Sequence, residues 1–227
     1  MIRVTENLGV IRDLLAEAAR EAGRDPATVR LLAVSKKKPA SLVAAAAGAG
    51  QLEFGENIVR EGVDKIAAVG RDDLVWHFIG TLQSNKTKDV ATHFDWAHSV
   101  DRLKIAKRLS DQRPADLPDL NVCIQVNVDA EASKSGVAPA ALGDLARAVA
   151  ALPRLRLRGL MCLPAIRDGL AAQREPFARL RRLKDELADS GLETDTLSMG
   201  MSDDFRAAIL EGSTIVRIGT AIFGSRD

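Results

Sequence analysis

The feature that most restricts this chain is its rhythm: short runs rich in β-branched and aromatic residues return eight times, separated by stretches whose apolar residues fall three or four apart. Strands are predicted at 31–35, 52–55, 75–80, 94–99, 122–128, 157–161, 196–199 and 215–219, with helical patterns such as Leu142, Leu145, Val149 and Leu152, or Phe177, Leu180, Leu183 and Leu187, between them. Strands joined through helices pair in parallel, and parallel sheets need both faces covered. Eight such units make a (β/α)8 barrel, a fold of about 250 residues; at 227 residues the chain holds that barrel and almost nothing else. The expected fold is therefore α/β, a single TIM-type barrel domain over 1–227, with an extra N-terminal helix carrying Val4, Leu8, Ile11, Leu15 and Ala18 on one face. No internal repeat, low-complexity linker or shift in composition marks a second domain.

Charge and composition narrow the partners. A formal net charge of +1 argues against a dedicated nucleic-acid or membrane-surface role and for a small-molecule ligand. No apolar run approaches the roughly 20 residues that span a bilayer, so a cytoplasmic protein is expected. Cys123 and Cys162 sit far apart in apolar segments and read as reduced core residues. His77, His93 and His98 match no metal spacing, so no metal is expected. Gly48-Ala49-Gly50 follows a helix instead of a strand, which removes the context of a dinucleotide-binding loop.

In a parallel barrel the loops after the strand C-termini converge on one face, and the polar residues of this chain collect there. Lys36 ends the first strand and is followed by Lys37, Lys38 and Pro39, a short loop into the next helix. A lysine half withdrawn from water beside two further ammonium groups has its charged form disfavoured, and a neutral amine attacks aldehydes. Gly55-Glu56-Asn57 ends the second strand, where Asn57 serves either the site or a turn; Gly80-Thr81 ends the third, and Asn127 the fifth. Ser198-Met199-Gly200 and Gly219-Thr220 follow strands seven and eight, the position at which such barrels often bind phosphate through backbone N–H groups. Ser198 and Thr220 would add hydroxyl donors. Ser202-Asp203-Asp204 reads as the cap and acidic first turn of the following helix, which places an anion against the preceding Ser-Met-Gly backbone. Arg217, in an otherwise apolar strand, either points outward or donates to a ligand ring atom. His77 reads as a core histidine, and the alternating Arg154, Arg156 and Arg158 as a solvated face.

A lysine aldehyde trap facing a phosphate cradle describes a pyridoxal 5′-phosphate (PLP) site, and the chain resembles the pyridoxal phosphate homeostasis proteins, the YggS/PROSC family. The likeness runs through Leu31-Leu32-Ala33-Val34-Ser35-Lys36 with Pro39, Phe54-Gly55-Glu56-Asn57, His77-Phe78-Ile79-Gly80 with Leu82 to Lys86, Gly159-Leu160-Met161, Leu197 to Ser202 with Asp204-Phe205, and Val216-Arg217-Ile218-Gly219-Thr220 with Ile222-Phe223-Gly224. It implies a barrel like the N-terminal domain of alanine racemase. It also implies PLP held as an internal aldimine (a Schiff base) on Lys36, with Asn57 at the cofactor and phosphate contacts from Ser198, Gly200, Gly219 and Thr220. Arg217 would face the pyridine nitrogen, and His77 and Met161 would stand behind these residues. Lys37, where the family often has a smaller polar residue, and Ile58, where an aromatic is common, depart from the pattern.

The rival reading is a PLP-dependent amino-acid racemase. Racemases of that type set a lysine and a tyrosine on opposite faces of the cofactor, the tyrosine coming from a further C-terminal domain; this chain has no tyrosine, and the barrel leaves no residues for such a domain. An arginine at the ring nitrogen would also weaken the electron sink that carbanion chemistry needs. A third reading is a barrel enzyme acting on an unrelated phosphorylated substrate. The reading preferred is a monomeric PLP carrier without robust catalysis or catalytic residues, buffering PLP or delivering it to PLP-dependent apoenzymes.

Overall fold

The computed structural model describes residues 3–129 and 135–224. Eight parallel strands follow one another in sequence order and close into a barrel: β1 (Arg30–Val34), β2 (Glu53–Glu56), β3 (Val75–Phe78), β4 (Trp96–Val100), β5 (Leu120–Gln125), β6 (Leu155–Met161), β7 (Thr196–Ser198) and β8 (Ile215–Ile218). Every strand expected from the sequence is present. The circle is completed by β8 against β1, with Ile215 opposite Arg30 and Ile218 opposite Ala33. The intervening helices are α2 (Ala40–Gly48), α3 (Val59–Val69), α4 (Thr87–His93), α5 (Leu103–Gln112), α6 (Leu142–Ala150), α7 (Leu170–Asp189) and α8 (Phe205–Leu210), with a four-residue α9 (Thr220–Phe223) after β8. The extra N-terminal helix, α1 (Val4–Glu21), buries Val4, Leu8, Ile11, Leu15 and Ala18, the face its spacing predicts, against α2, α8 and α9. Among the described residues, no helix is long and apolar enough to cross a membrane.

Alternation along each strand divides the core into two layers. The outer layer packs strand residues such as Ala33, Phe54, Phe78, Val122, Leu160 and Val216 against the helices. Burial of each large side chain contributes about 1.5–3 kcal/mol. The inner layer is small: Leu32, Trp96, Cys123, Met161 and Ile215 fill the barrel axis, as an eight-stranded barrel has room for little more. Inward Leu32 puts Val34 and Lys36 in phase with the interior, and inward Ile215 does the same for Arg217. The period of two thus delivers an amine and a guanidinium to the same end of the barrel.

Candidate functional site

At the C-terminal ends of the strands lies a cavity of about 950 Å³, lined among others by Lys36, Asn57, Met161, Arg217, Gly219 and Thr220. These come from four different segments of the chain, at the ends of β1, β2, β6 and β8, and the barrel alone brings them together. The size is that of a cofactor-sized pocket.

The loop carrying Lys36 is held from both sides. Lys65, buried on α3, donates to the Ser35 carbonyl (2.6 Å), to Glu56 Oε1 (2.8 Å) and to Glu61 Oε1 (2.6 Å), which uses all three ammonium protons. The Ser35 hydroxyl donates to Glu56 Oε1 at 2.6 Å, and the Lys37 N–H donates to Glu61 Oε1. Lys37 itself takes a left-handed φ of 59°. Residues immediately before and after Lys36 are therefore tied to one buried ionic cluster. Burial pushes the Glu56 carboxyl above the usual range, against the opposing hydrogen bonds from Lys65 and Ser35. Nothing in the sequence distinguishes Lys65 from a solvated helix residue; its role is set by how α3 docks.

The floor of the cavity is Arg217. Its side chain points inward and is buried, Nη1 donating to Ser198 Oγ (2.7 Å) and Nη2 to the Cys162 carbonyl (2.9 Å). Burial holds the guanidinium below its ordinary pKa. This resolves the two orientations the sequence left open in favour of the inward one. Asn57 supplies the side wall, and its Oδ1 is buried with no hydrogen-bond partner among the described residues, an acceptor that is costly unless a ligand donates to it. Gly80 presses on the Asn57 backbone: a Cβ there would lie 2.2 Å from the Asn57 carbonyl oxygen.

Two turns form the remaining wall. Gly200, at φ +95°, has no room for a Cβ, which would lie 2.6 Å from the Ala208 Cβ. Of the neighbouring amides, Met199 N–H donates to the Ile215 carbonyl and Met201 N–H to Asp204 Oδ1, so the donor this turn retains is that of Gly200. Gly219 precedes α9, whose first N–H groups have no acceptor within the helix. Three expectations need correction here. The Ser198 hydroxyl is not offered to an anion: Ser198 is buried, and its Oγ lies between Arg217 and His98 Nδ1 (2.8 Å). Ser202 does not cap the following helix, which starts at Phe205 with Asp204 at its N-cap; Ser202 and Asp203 line the cavity instead. Arg158 is not part of a solvated face: it pairs with Asp195 at 2.6 Å and lies over the Trp96 ring, 4.9 Å from its centroid, at the opposite end of the barrel.

Lys36, Asn57, Met161, Arg217, Gly219 and Thr220 thus meet at one cavity, Gly200 shapes its wall, and Ser198 and His77 lie beneath it. His77 is buried with its Nδ1 at 2.9 Å from His98 Nε2. The sequence reading missed His98 and Gln125. Only their phase, two residues from inward Trp96 and Cys123, carried a signal.

The model of the alanine racemase N-terminal domain matches residues 7–227. A pyridoxal phosphate homeostasis protein of Pseudomonas aeruginosa is 60% identical over 100% of this chain and 97% of its own length. The protein of that name from Escherichia coli K12 is 56% identical over 99% of this chain and 97% of its own. Among solved structures, PipY of Synechococcus elongatus with PLP bound is 35% identical and superposes with a TM-score of 0.85, covering 98% of this chain and 100% of PipY.

Proposed function

The chain belongs to the alanine racemase N-terminal domain family, among the pyridoxal phosphate homeostasis proteins, and from that premise we propose that it holds PLP in the barrel mouth with Lys36 as the covalent anchor. When bound, PLP supplies an aldehyde with which an amine condenses reversibly. The observation that carries the reading is convergence: an amine, an unsatisfied carboxamide oxygen and a buried guanidinium face one cavity from separate strands. Lys36 provides the amine, on a loop clamped by Lys65. Arg217 donates to the ring nitrogen, and as an arginine it keeps that nitrogen unprotonated. Asn57 accepts from the ligand. Gly200, Gly219 and Thr220 present backbone donors to the phosphate, with the Thr220 hydroxyl adding one more, and Ser198 contributes through its main chain while its hydroxyl supports Arg217. Met161 packs beneath the ring.

These assignments support storage and release more than turnover. The same reversible bond to Lys36 serves capture and hand-over to PLP-dependent apoenzymes by a monomer. A racemase reading has less support, because the chain has no tyrosine and Arg217 opposes carbanion stabilisation. The test is the absorbance of the protein with PLP before and after borohydride, followed by peptide mapping. We expect a visible band that borohydride fixes onto Lys36 and that Lys36→Ala abolishes; a band that survives Lys36→Ala overturns the anchor, and no band in the wild type overturns the site.

A further inference from the structure

A row of polar side chains runs through the barrel interior below Arg217, where an eight-stranded barrel normally packs branched apolar residues. Arg217 Nη1 donates to Ser198 Oγ at 2.7 Å; Ser198 Oγ lies 2.8 Å from His98 Nδ1; His98 Nε2 lies 2.9 Å from His77 Nδ1; and His77 Nε2 faces Glu53 Oε2 at 3.3 Å. The last pair is an ion-pair contact that lacks hydrogen-bond geometry, and neither atom has a hydrogen-bond partner among the described residues. The side chains come from β8, β7, β4, β3 and β2, so the row crosses the barrel and leads to the end opposite the cavity.

The protons in such a row can be assigned by counting. An arginine only donates and a carboxylate only accepts. With Arg217 donating to Ser198, the hydroxyl proton passes to His98 Nδ1, His98 Nε2–H donates to His77 Nδ1, and the His77 Nε2 proton faces the Glu53 carboxylate across 3.3 Å. Both imidazoles are then neutral and in the same tautomer, and every buried proton of the row points toward an acceptor. The surroundings agree. Burial holds His77 and His98 below the ordinary imidazole pKa, reinforced at His98 by His77 and Arg217. Burial would raise the Glu53 carboxyl, but His77 and Arg30 outweigh it and keep Glu53 below the usual carboxylate range.

We propose that Glu53, His77, His98 and Ser198 form a one-way hydrogen-bond relay that positions Arg217 at the cavity floor, with Glu53 setting its direction. The guanidinium is planar, and Ser198 Oγ and the Cys162 carbonyl hold its two terminal nitrogens, so its orientation toward the cavity is fixed. Because the Ser198 proton is committed to His98, the oxygen turns its lone pairs to Arg217. The four act as positioning residues through their side chains, none of which lines the cavity. The consequence for PLP rests on the reading of the mouth given above, whereas the relay itself does not.

The test uses nitrogen NMR of the histidine rings in the full chain without PLP, together with the PLP dissociation constant. In the wild type we expect both rings neutral and protonated at Nε2. Glu53→Gln replaces a pure acceptor with a carboxamide that also donates, so a population of both rings should switch together to the Nδ1–H form. His98→Phe, which breaks the row, should weaken PLP binding about tenfold, the scale of one hydrogen bond to a charged group. A charged or Nδ1-protonated ring in the wild type, or His98 unaffected by Glu53→Gln, overturns the relay. Unchanged PLP affinity in a folded His98→Phe overturns its positioning role, and if that variant does not fold, the affinity of the near-isosteric Glu53→Gln decides. A wild type with this tautomer pair that binds no PLP overturns the proposed function and leaves the relay standing.

Discussion

Lys65 is the residue on which the geometry of Lys36 depends, although it does not face the ligand. Its ammonium is shared by the Ser35 carbonyl, Glu56 and Glu61 at 2.6–2.8 Å, and its side chain is only 7% exposed. Removing one partner of a buried ion pair costs about 3–5 kcal/mol, because the remaining charges keep their desolvation penalty. Lys65→Met should therefore lower stability by that amount in urea unfolding and, by releasing Ser35 and the loop, slow the borohydride-trapped labelling of Lys36. Glu56→Gln should be milder, since Glu61 still pairs with Lys65 and a carboxamide oxygen accepts from both Lys65 and Ser35. Equal losses in the two variants would show that the cluster acts through packing and not through charge.

At the scale of elements, the proposed site gives recognition of the phosphate to the turn after β7 and recognition of the ring to Arg217. Gly200 at φ +95° cannot become alanine without strain of about 1–3 kcal/mol and a collision with Ala208, where a Cβ would stand at 2.6 Å. Gly200→Ala should raise the dissociation constant for PLP at least tenfold while leaving that for pyridoxal, which lacks the phosphate, within about twofold. A parallel loss for both ligands would move the phosphate off this turn. The same contrast shows what was legible beforehand. Strands and the α1 face could be read because alternation and the three-to-four spacing are properties of the chain itself. Arg217 could be placed in β8 but not turned inward, since alternation has two phases and only packing of Ile215 on the barrel axis chooses between them. The Ser202 cap was misread because Asp204, two residues on, accepts the Met201 N–H and shifts the start of α8 to Phe205. Lys65 and His98 were illegible as site residues, because each owes its role to a partner 30 and 100 residues away, Ser35 and Ser198.

For the molecule as a whole, a polar row inside the barrel makes folding sensitive to pH well above the range where most proteins denature in acid. His77 and His98 both have folded pKa values below the ordinary 6.5, chiefly through burial. Above that value both states carry neutral rings, and stability does not depend on these groups. Below it the unfolded chain binds two protons that the barrel excludes, so stability falls as pH falls, by up to about 1.4 kcal/mol per pH unit for each ring until the folded values are reached. Glu53 adds to this lower down: its folded pKa is depressed, so its contribution is present above the unfolded carboxylate value and is lost as pH drops through the folded one. Unfolding in urea should therefore show nearly constant stability between about pH 8 and 7 and a loss of at most about 2 kcal/mol between about pH 6.5 and 5.5. Surface pairs such as Arg71 with Asp73, 39% and 56% exposed, contribute little to that slope. Salt should accordingly leave it nearly unchanged, because the histidines are screened by protein and not by ions. A flat profile across that interval would mean that the rings take up protons inside the folded barrel, and with two cations in the row below Arg217 the floor of the proposed site could not hold its guanidinium in place for the ring nitrogen.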